Sequence, residues 1–182
     1  MNEWDDDELI RRISSKDANA FKQLVERHKV FVYNICYNLI GNFQQAEETA
    51  QDVFFQVYRS AGSFRFKSKV TTWIYRMAVH RSLNVIRHNK RFQRIKNLSD
   101  LEEDESMRDE PSILMEKKEL KALLKAAVDS LPEKLRTVFI LNKYENLSSR
   151  EIGEILGISV NSVEVRIHRA KTSLQKKLAS LF

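Results

Sequence analysis

Residues 148–174 read SSREIGEILGISVNSVEVRIHRAKTSL, and they predict the structure of the C-terminal half of the chain. Ser148 followed by Glu151 fits a capping box, which predicts that a short helix begins here. Gly157 ends that helix, because glycine adopts the left-handed cap most easily, and Ser159 caps the next helix. An apolar seam runs along this second helix through Val163, Ile167, Ala170, Leu174 and Leu178. A short helix, a glycine turn and a longer helix form a helix-turn-helix pattern.

The face of the second helix opposite this seam is polar. It presents Asn161, Glu164, Val165, His168, Arg169 and Thr172, with Arg166 and Lys171 toward the flanks. In a recognition helix such side chains contact base edges in the major groove, where arginine pairs with guanine. An ordinary amphipathic helix with a solvated face has the same outline, so the pattern predicts a DNA-binding element and leaves that alternative open.

The whole chain has the composition of an α-helical protein. Its 182 residues are enough for one or two domains, and 42% of them are hydrophobic, which is enough to form a core. Only 4 glycines and 2 prolines are present, too few for the many turns of an all-β fold. Leu131-Pro132-Glu133 predicts another helix start, since proline suits the first turn. In the N-terminal half, apolar residues recur at helical spacing up to a break at Gly41.

Cysteine usage and the chain's uncharged segments indicate a cytoplasmic protein. Cys36 is the single cysteine, which excludes an internal disulfide and a cysteine-rich zinc module and favours a reducing compartment. The stretch Met1 to Glu8 is acidic, whereas a secretory signal needs basic residues and an apolar run. The longest uncharged stretch, Val30 to Ala46, carries asparagines at four-residue spacing and predicts an amphipathic helix rather than a membrane span.

Charge is distributed unevenly along the chain. Residues 53–99 contain 11 basic and no acidic residues, whereas residues 100–110 contain 1 basic and 7 acidic residues. A solvated surface normally carries both signs, so the acid-free run predicts a surface that binds a polyanion. The acidic block has too little apolar area to fold and predicts a flexible linker. We therefore expect an all-α protein whose two helical domains, residues 1–96 and 112–182, are joined by an acidic flexible linker at residues 97–111.

Aromatic and cationic residues alternate at the start of the acid-free run. After Gly62 the sequence predicts a loop formed by Ser63, Phe64, Arg65, Phe66, Lys67, Ser68 and Lys69. Rings stack on bases, at about 1–3 kcal/mol for each base, while cations follow phosphates, so the loop suits single-stranded nucleic acid. Either phenylalanine could instead fill the domain core.

The loop is followed by a predicted helix from about Thr71 to Arg91. Its polar side carries Trp73, Arg76, His80, Asn84, Arg87 and Arg91. These side chains supply donors for phosphates and base edges, and no carboxylate neutralises them, which favours nucleic-acid binding over a solvated basic face. Trp73 could contact nucleic acid or pack on the preceding loop.

The helix before the loop has a polar outer face with one aromatic residue. This helix begins near Gln44 and buries alanine and valine side chains. Its outer face carries Glu48, Gln51, Asp52 and Phe55. The face could simply be solvated, or it could dock a partner helix, since aromatic residues are enriched at interfaces.

Four short motifs of this sequence occur together in one known family. They are Ala46-Glu47-Glu48-Thr49-Ala50-Gln51-Asp52-Val53-Phe54, Thr72-Trp73-Ile74-Tyr75-Arg76-Met77-Ala78, Leu131-Pro132 and Ile167-His168-Arg169-Ala170-Lys171. By these motifs the chain, apart from its acidic segment, resembles the extracytoplasmic-function group of bacterial sigma factors. Each motif is degenerate by itself, but four in this order and spacing are specific. Phe66 departs from the pattern by standing where the family usually has glycine.

The resemblance implies a two-domain factor that binds core RNA polymerase and directs promoter recognition, DNA melting and transcription initiation. By similarity, Glu48, Gln51, Asp52 and Phe55 would dock on the largest polymerase subunit. The unwound −10 element would be held by Phe64, Arg65, Phe66, Lys67, Lys69, Trp73, Arg76, His80, Asn84 and Arg87. The duplex −35 element would be read by Asn161, Glu164, Val165, Arg166, His168, Arg169 and Lys171. Many members of this family are restrained by an anti-sigma factor, so such a partner is expected too.

Two other classes of protein fit part of the sequence. A helix-turn-helix regulator that works without polymerase predicts dimers on paired half-sites, but it leaves the basic aromatic loop unexplained. A DNA-processing enzyme needs metal ligands or a phosphate-binding glycine loop, whereas the histidines are scattered and no such loop is present. Cys36 lies in an apolar helix and is expected to be buried. We therefore expect no catalytic activity, no metal and no cofactor.

Overall fold

The computed structural model describes residues 4–99 and 114–179, with side chains for residues 4–92 and 122–179. Within these ranges the chain forms eight α-helices and no β-strand, which confirms the all-α prediction. The helices are α1 (Asp6–Ser14), α2 (Ala18–Ile40), α3 (Phe43–Ser60), α4 (Val70–Ser99), α5 (Leu114–Asp129), α6 (Glu133–Lys143), α7 (Ser149–Leu156) and α8 (Val160–Ala179). A 3-10 turn, Ala61–Ser63, follows α3. The predicted linker at residues 97–111 lies outside the described residues except for its first three, which belong to α4.

We call α1 to α4 the first domain and α5 to α8 the second domain. Helices α1 to α4 pack around apolar side chains. Asp17 caps α2 by accepting from the backbone N–H groups of Asn19 and Ala20. Gly41 ends α2 with φ at +80°, the left-handed conformation that the predicted break requires. The fully buried side chains include Leu9, Ile10, Ile13, Leu24, Val32, Ile35, Val53 and Ile74. These positions recur at helical spacing, so each helix turns one apolar side inward.

Helix α4 and helix α5 differ from the sequence prediction. The predicted helix from Thr71 to Arg91 begins one residue earlier and continues to Ser99, since no glycine or proline interrupts residues 92–99. Helix α5 was not predicted at all, although its sequence LMEKKELKALLKAAVD consists mainly of strong helix formers.

The second domain contains the predicted helix-turn-helix. The Ser148 hydroxyl accepts from the backbone of Glu151, and the Glu151 carboxylate accepts from the backbone of Ser148, which confirms the capping box. Gly157 caps α7 with φ at +66°, and the Ser159 hydroxyl accepts from the backbone N–H of Ser162 at 3.2 Å. The apolar seam of α8 is buried from Val163 to Leu174.

The two domains pack against each other in this structure. Helix α7 lies against α4, and α6 lies against α2. The polar side of α4, predicted as a nucleic-acid surface, is therefore next to the second domain.

Candidate nucleic-acid interface

The aromatic loop lies between the 3-10 turn and α4, and its two phenylalanines have different environments. Phe64 is half-buried, and its ring stacks on Trp73 with the centroids 4.5 Å apart and the planes at 30°. Phe66 is 38% exposed, and its ring meets that of Phe64 edge-on at a centroid distance of 4.8 Å. Phe64 thus packs against the domain core, whereas Phe66 offers ring surface to solvent. The loop cations Arg65, Lys67 and Lys69 are exposed around them.

The polar side of α4 lines a cavity of about 620 Å³ that faces α3. Its walls include Trp73, Arg76, His80 and Asn84 of α4 and Thr49, Asp52 and Gln56 of α3. The structure therefore brings together four of the side chains that the sequence placed on one helical side. Trp73 packs on the loop, which is one of the two positions proposed for it, and it also lines the cavity.

Arg81 also lines this cavity, and sequence reasoning missed it. Its guanidinium donates to the Asp52 carboxylate at 2.8 Å and to the Gln56 side-chain oxygen at 3.2 Å. Asp52, predicted for the outer face of α3, is thus in an ion pair with α4. A carboxylate 29 residues away in sequence leaves no local signal for this pairing.

Arg76 donates to the second domain. Its guanidinium contacts the backbone carbonyl of Glu154 at 2.6 Å and that of Ile155 at 3.2 Å. These carbonyls belong to the last turn of α7, where carbonyl groups have no partner within the helix and the helix dipole favours a cation. Arg76 therefore donates to oxygens with a partial negative charge, whereas a DNA phosphate would offer it a full negative charge.

Arg87 forms a bidentate ion pair with Glu133 of the second domain. Its guanidinium donates to the two carboxylate oxygens of Glu133 at 2.6 Å and 3.3 Å. This hydrogen bonding lowers the pKa of Glu133 and raises the pKa of Arg87 from their ordinary values. Two predicted DNA-binding cations are thus occupied by the second domain, while His80 and Asn84 are exposed.

Helix α2 makes two further polar contacts with the second domain. The Asn38 amide donates to the Glu145 carboxylate at 2.6 Å, and Arg136 donates to the Leu39 carbonyl at 2.8 Å. Arg136 is also paired with Asp129 at 2.7 Å. Burial raises the pKa of Glu145, although the hydrogen bond from Asn38 opposes this shift.

The outer face of α3 is exposed, as predicted. Glu48, Gln51, Asp52 and Phe55 all reach solvent, and Phe55 is 62% exposed. Sequence reasoning missed a neighbouring apolar groove of about 370 Å³ between α2 and α3, whose wall includes Gln51. The other residues of this wall are Val25, Lys29, Val30, Tyr33, Glu47, Ala50 and Phe54.

Three aromatic side chains extend the apolar surface beside this groove. Tyr33 stacks on Tyr37 at a centroid distance of 5.9 Å and meets Phe43 edge-on at the same distance. Tyr33 and Tyr37 are four residues apart, the spacing that brings side chains together on one helix face. That spacing is the signal from which this aromatic patch could have been predicted.

The predicted recognition face of α8 is open to solvent in the described part of the chain. Asn161, Glu164, Val165, His168, Arg169 and Lys171 are exposed, and Arg166 is half-buried. A shallow cavity of about 420 Å³ runs along the same helix beside His168, Arg169 and Lys176. Six of the seven residues predicted to read DNA are therefore exposed along α8.

The described residues offer no arrangement typical of a metal site or a reactive thiol. They include no group of three or more His, Cys, Asp or Glu side chains that could hold a metal ion. Cys36 is buried, and burial raises the pKa of its thiol to about 11. None of the described helices is both long enough and apolar enough to cross a membrane.

Sequence comparison shows similarity over both domains. Residues 24–92 match the family described as Sigma-70 region 2, and residues 121–174 match Sigma-70, region 4. The ECF RNA polymerase sigma factor SigW of Bacillus subtilis is 32% identical, over 94% of this chain and 96% of its own. The RNA polymerase sigma-H factor of Pseudomonas aeruginosa is 29% identical, over 100% of this chain and 97% of its own.

Structure comparison shows that the fold is shared with solved proteins. CnrH, solved in complex with the cytosolic domain of CnrY, superposes with a TM-score of 0.71 at 23% identity, over 96% of this chain and 97% of its own. The sigma factor RpoE, solved with the anti-sigma factor NepR from Bartonella quintana, superposes with a TM-score of 0.64 at 19% identity, over 87% of this chain and 96% of its own.

Proposed function

The chain belongs to the extracytoplasmic-function group of RNA polymerase sigma factors, and we propose on this basis which of its surfaces bind polymerase and promoter DNA. Such a factor binds core RNA polymerase and directs it to promoters. One observation carries the proposal. The chain has two separate surfaces rich in nucleic-acid-binding side chains, the polar side of α4 with its loop and the open face of α8, and each lies within a different sigma-70 region.

The first surface is proposed to hold the −10 element as an unwound strand. Phe66 supplies an exposed ring for stacking, and the neighbouring cations supply phosphate contacts. The cavity beside Trp73 and Asn84 has the size and donors to take an unstacked base. The proposed residues are Phe64, Arg65, Phe66, Lys67, Lys69, Trp73, Arg76, His80, Asn84 and Arg87.

The second surface is proposed to read the −35 element as duplex. Helix α8 follows a tight glycine turn and presents its polar face near its own N-terminus, the geometry of a recognition helix. The proposed residues are Asn161, Glu164, Val165, Arg166, His168, Arg169 and Lys171. Because polymerase would fix the spacing of the two domains, two weak DNA sites would act as one stronger site.

The outer face of α3 is proposed to bind core RNA polymerase through Glu48, Gln51, Asp52 and Phe55. An exposed phenylalanine among polar groups suits a protein interface. The neighbouring apolar groove and the Tyr33–Tyr37 pair extend the area that a partner helix could cover.

We also propose a role for each segment of the chain, a further partner and a location. We assign residues 1–96 to polymerase and −10 binding, residues 112–182 to −35 binding, and residues 97–111 to an acidic connection near the polymerase active-site channel. An anti-sigma factor is a further proposed partner, by analogy with the complex of RpoE and NepR. The protein would act in the cytoplasm, where bacterial polymerase works, by binding rather than by catalysis of its own.

Run-off transcription with purified core polymerase on genomic fragments, followed by mapping of start sites, tests the proposal. Wild-type protein should produce discrete transcripts that core enzyme alone does not produce. Asn84→Ala should weaken DNA opening and Arg169→Ala should weaken upstream binding, each by about five- to a hundredfold. Asn84 is a cleaner target than Arg76 or Arg87, since those arginines also contact the second domain. Footprints unchanged in both variants would contradict the surface assignments, and a lack of transcripts would contradict the function.

A further inference from the structure

The loop that carries Phe66 is held in a costly backbone conformation. Phe66 has φ at +52°, in the left-handed region that bulky residues rarely adopt. Such a conformation persists only where the surroundings impose it, and it is concentrated at functional sites. The residues that contact the Phe66 side chain are therefore candidates for the same functional site.

One of these contacts comes from α1, a helix outside the predicted DNA surface. The guanidinium carbon of Arg11 lies 4.8 Å from the centroid of the Phe66 ring. Phe66 then meets Phe64, and Phe64 stacks on Trp73 at the wall of the α4 cavity. A continuous series of contacts between one cation and three rings thus runs from α1 to the proposed strand-binding cavity.

Helix α1 is placed firmly against this loop. Its buried residues Leu9, Ile10 and Ile13 join the core of the first domain, and α1 contacts the 3-10 turn just before the loop. A Cβ atom added at Gly62 would lie 4.0 Å from the Cβ of Ser14, so the backbone of this turn passes close to α1. The position of Arg11 relative to Phe66 is therefore set by the core rather than by a flexible tail.

The charge of Arg11 is less closely paired with carboxylates than that of its neighbour Arg12. Arg12 donates to Glu8 at 2.8 Å, lies 3.8 Å from Asp17, and stacks over the Trp4 ring at 3.9 Å. Arg11 is 4.0 Å from the same Glu8 carboxylate, and its side chain is 58% exposed. A cation–π contact uses no N–H donor, and the Arg11 guanidinium forms no hydrogen bond with the described residues, so its N–H donors stay available for a phosphate.

We propose that Arg11 is a further residue of the −10 DNA-binding surface, which positions the Phe66 ring and binds the phosphate of the strand stacked on it. The inference rests on the proposed function of the loop. It extends the DNA surface from α4 and the loop to α1, and it makes Arg11 a positioning residue for Phe66 as well as a direct DNA contact.

Binding of holoenzyme to a forked DNA tests this proposal. The probe carries a single-stranded −10 region, taken from a promoter mapped by run-off transcription, with a fluorescein label read by anisotropy. The affinity is measured at several salt concentrations, because each phosphate contact to a single strand adds about 0.7 to the slope of log affinity against log salt. The variants are Arg11→Ala, Arg11→Lys and, as a control, Lys22→Ala, which removes an exposed cation from α2.

Arg11→Ala is expected to weaken binding about three- to tenfold and to lower the salt slope by about 0.7. Arg11→Lys should restore the slope, because it keeps the charge, but only part of the affinity, because it lacks the planar group. Lys22→Ala should match the wild type, and thermal unfolding should be unchanged in all three variants.

The proposal is overturned if Arg11→Ala binds like the wild type, or if its affinity falls with no change in the salt slope. The second result would mean that Arg11 acts through structure alone. Failure of the wild-type holoenzyme to bind the fork would instead count against the proposed function itself, and the inference would fall with it.

Discussion

Phe66 stands at a position where glycine is expected from the family resemblance. Its left-handed backbone is the conformation that glycine adopts without steric cost. Phenylalanine therefore adopts a backbone angle here that the sequence alone does not show. The departure from the family pattern could be read from the motif, whereas its physical reason needed the structure.

Replacing Phe66 separates the effect of backbone strain from that of the ring. Phe66→Ala and Phe66→Gly both remove the ring, and both should weaken binding to single-stranded −10 DNA by similar factors. Phe66→Gly should nevertheless be more stable than Phe66→Ala, by about 1 kcal/mol, since alanine keeps the left-handed strain. Urea unfolding of the two variants measures this difference. Equal stabilities would mean that the backbone at this position carries no strain.

Asp6 ties α1 to α2 through an ion pair that the sequence does not reveal. Its carboxylate accepts from Arg27 at 2.7 Å and contacts the buried His28 ring at 2.9 Å. Burial by itself would raise the pKa of Asp6, but the hydrogen bonds from His28 and Arg27 outweigh it and lower the pKa below 3.8. The partners lie more than 20 residues away, so no local pattern predicted them.

A lowered pKa in the folded state makes stability depend on pH in a defined direction. The stabilisation from Asp6 is fully present above its unfolded pKa of 3.8 and is lost as pH falls through the lower native value. Asp6→Asn should therefore lower the free energy of unfolding at neutral pH and flatten its decline in acid. Urea unfolding between about pH 2 and pH 6 measures this, with the exposed Asp7→Asn as the control. A decline as steep in Asp6→Asn as in the wild type would refute the assignment.

Helix boundaries were predictable where local chemistry determines them. The cap residues Ser148, Glu151, Gly157 and Ser159 act within a few positions of themselves, and all four occupy the places that the sequence predicted. The end of α4 and the whole of α5 were missed, because neither has a strong cap signal within the described residues. Their helical structure follows from a composition rich in helix-forming residues rather than from cap residues.

Gly153 is a test of packing within the helix-turn-helix. A Cβ atom at this position would lie 2.8 Å from the carbonyl oxygen of Ile158, closer than real Cβ contacts allow. Helix propensity alone would make Gly153→Ala about 1 kcal/mol more stable than the wild type. We expect the opposite sign, a loss of about 1–3 kcal/mol, because the turn must shift to admit the methyl group. Chemical denaturation decides the sign, and Glu154→Ala on the exposed side of α7 is the control.

The packing of the two domains could not be predicted from the sequence. The acid-free charge of residues 53–99 and the helix-turn-helix pattern each emerge from local composition. The contacts between the domains join residues up to 107 positions apart, and several use backbone carbonyls, which are the same in every residue. Local patterns in the sequence therefore predicted both surfaces but gave no sign that Arg76 and Arg87 contact α7 and α6.

Glu133 provides a way to release one of these arginines. Glu133→Gln removes the charge that holds Arg87, so the free protein should bind a labelled single-stranded oligonucleotide more tightly. Because Arg87 is exposed to solvent, the ion pair contributes little, and the gain in affinity should not exceed about fivefold. Glu154→Gln is the matched control, because it removes a nearby charge while Arg76 contacts only the backbone of that residue. An equal gain in both variants would reflect net charge alone and would contradict a specific role for Glu133.

Cys36 lies in the core of the first domain, where its sulfhydryl, with a pKa of about 11, is almost entirely protonated at neutral pH. Peroxides and disulfide reagents attack the thiolate form, and they need access to the sulfur as well. The thiol of the protein's single cysteine is thus protected from such reagents while the domain stays folded. In a cell exposed to oxidative stress, a thiol-based redox signal would therefore have to reach the chain through another molecule.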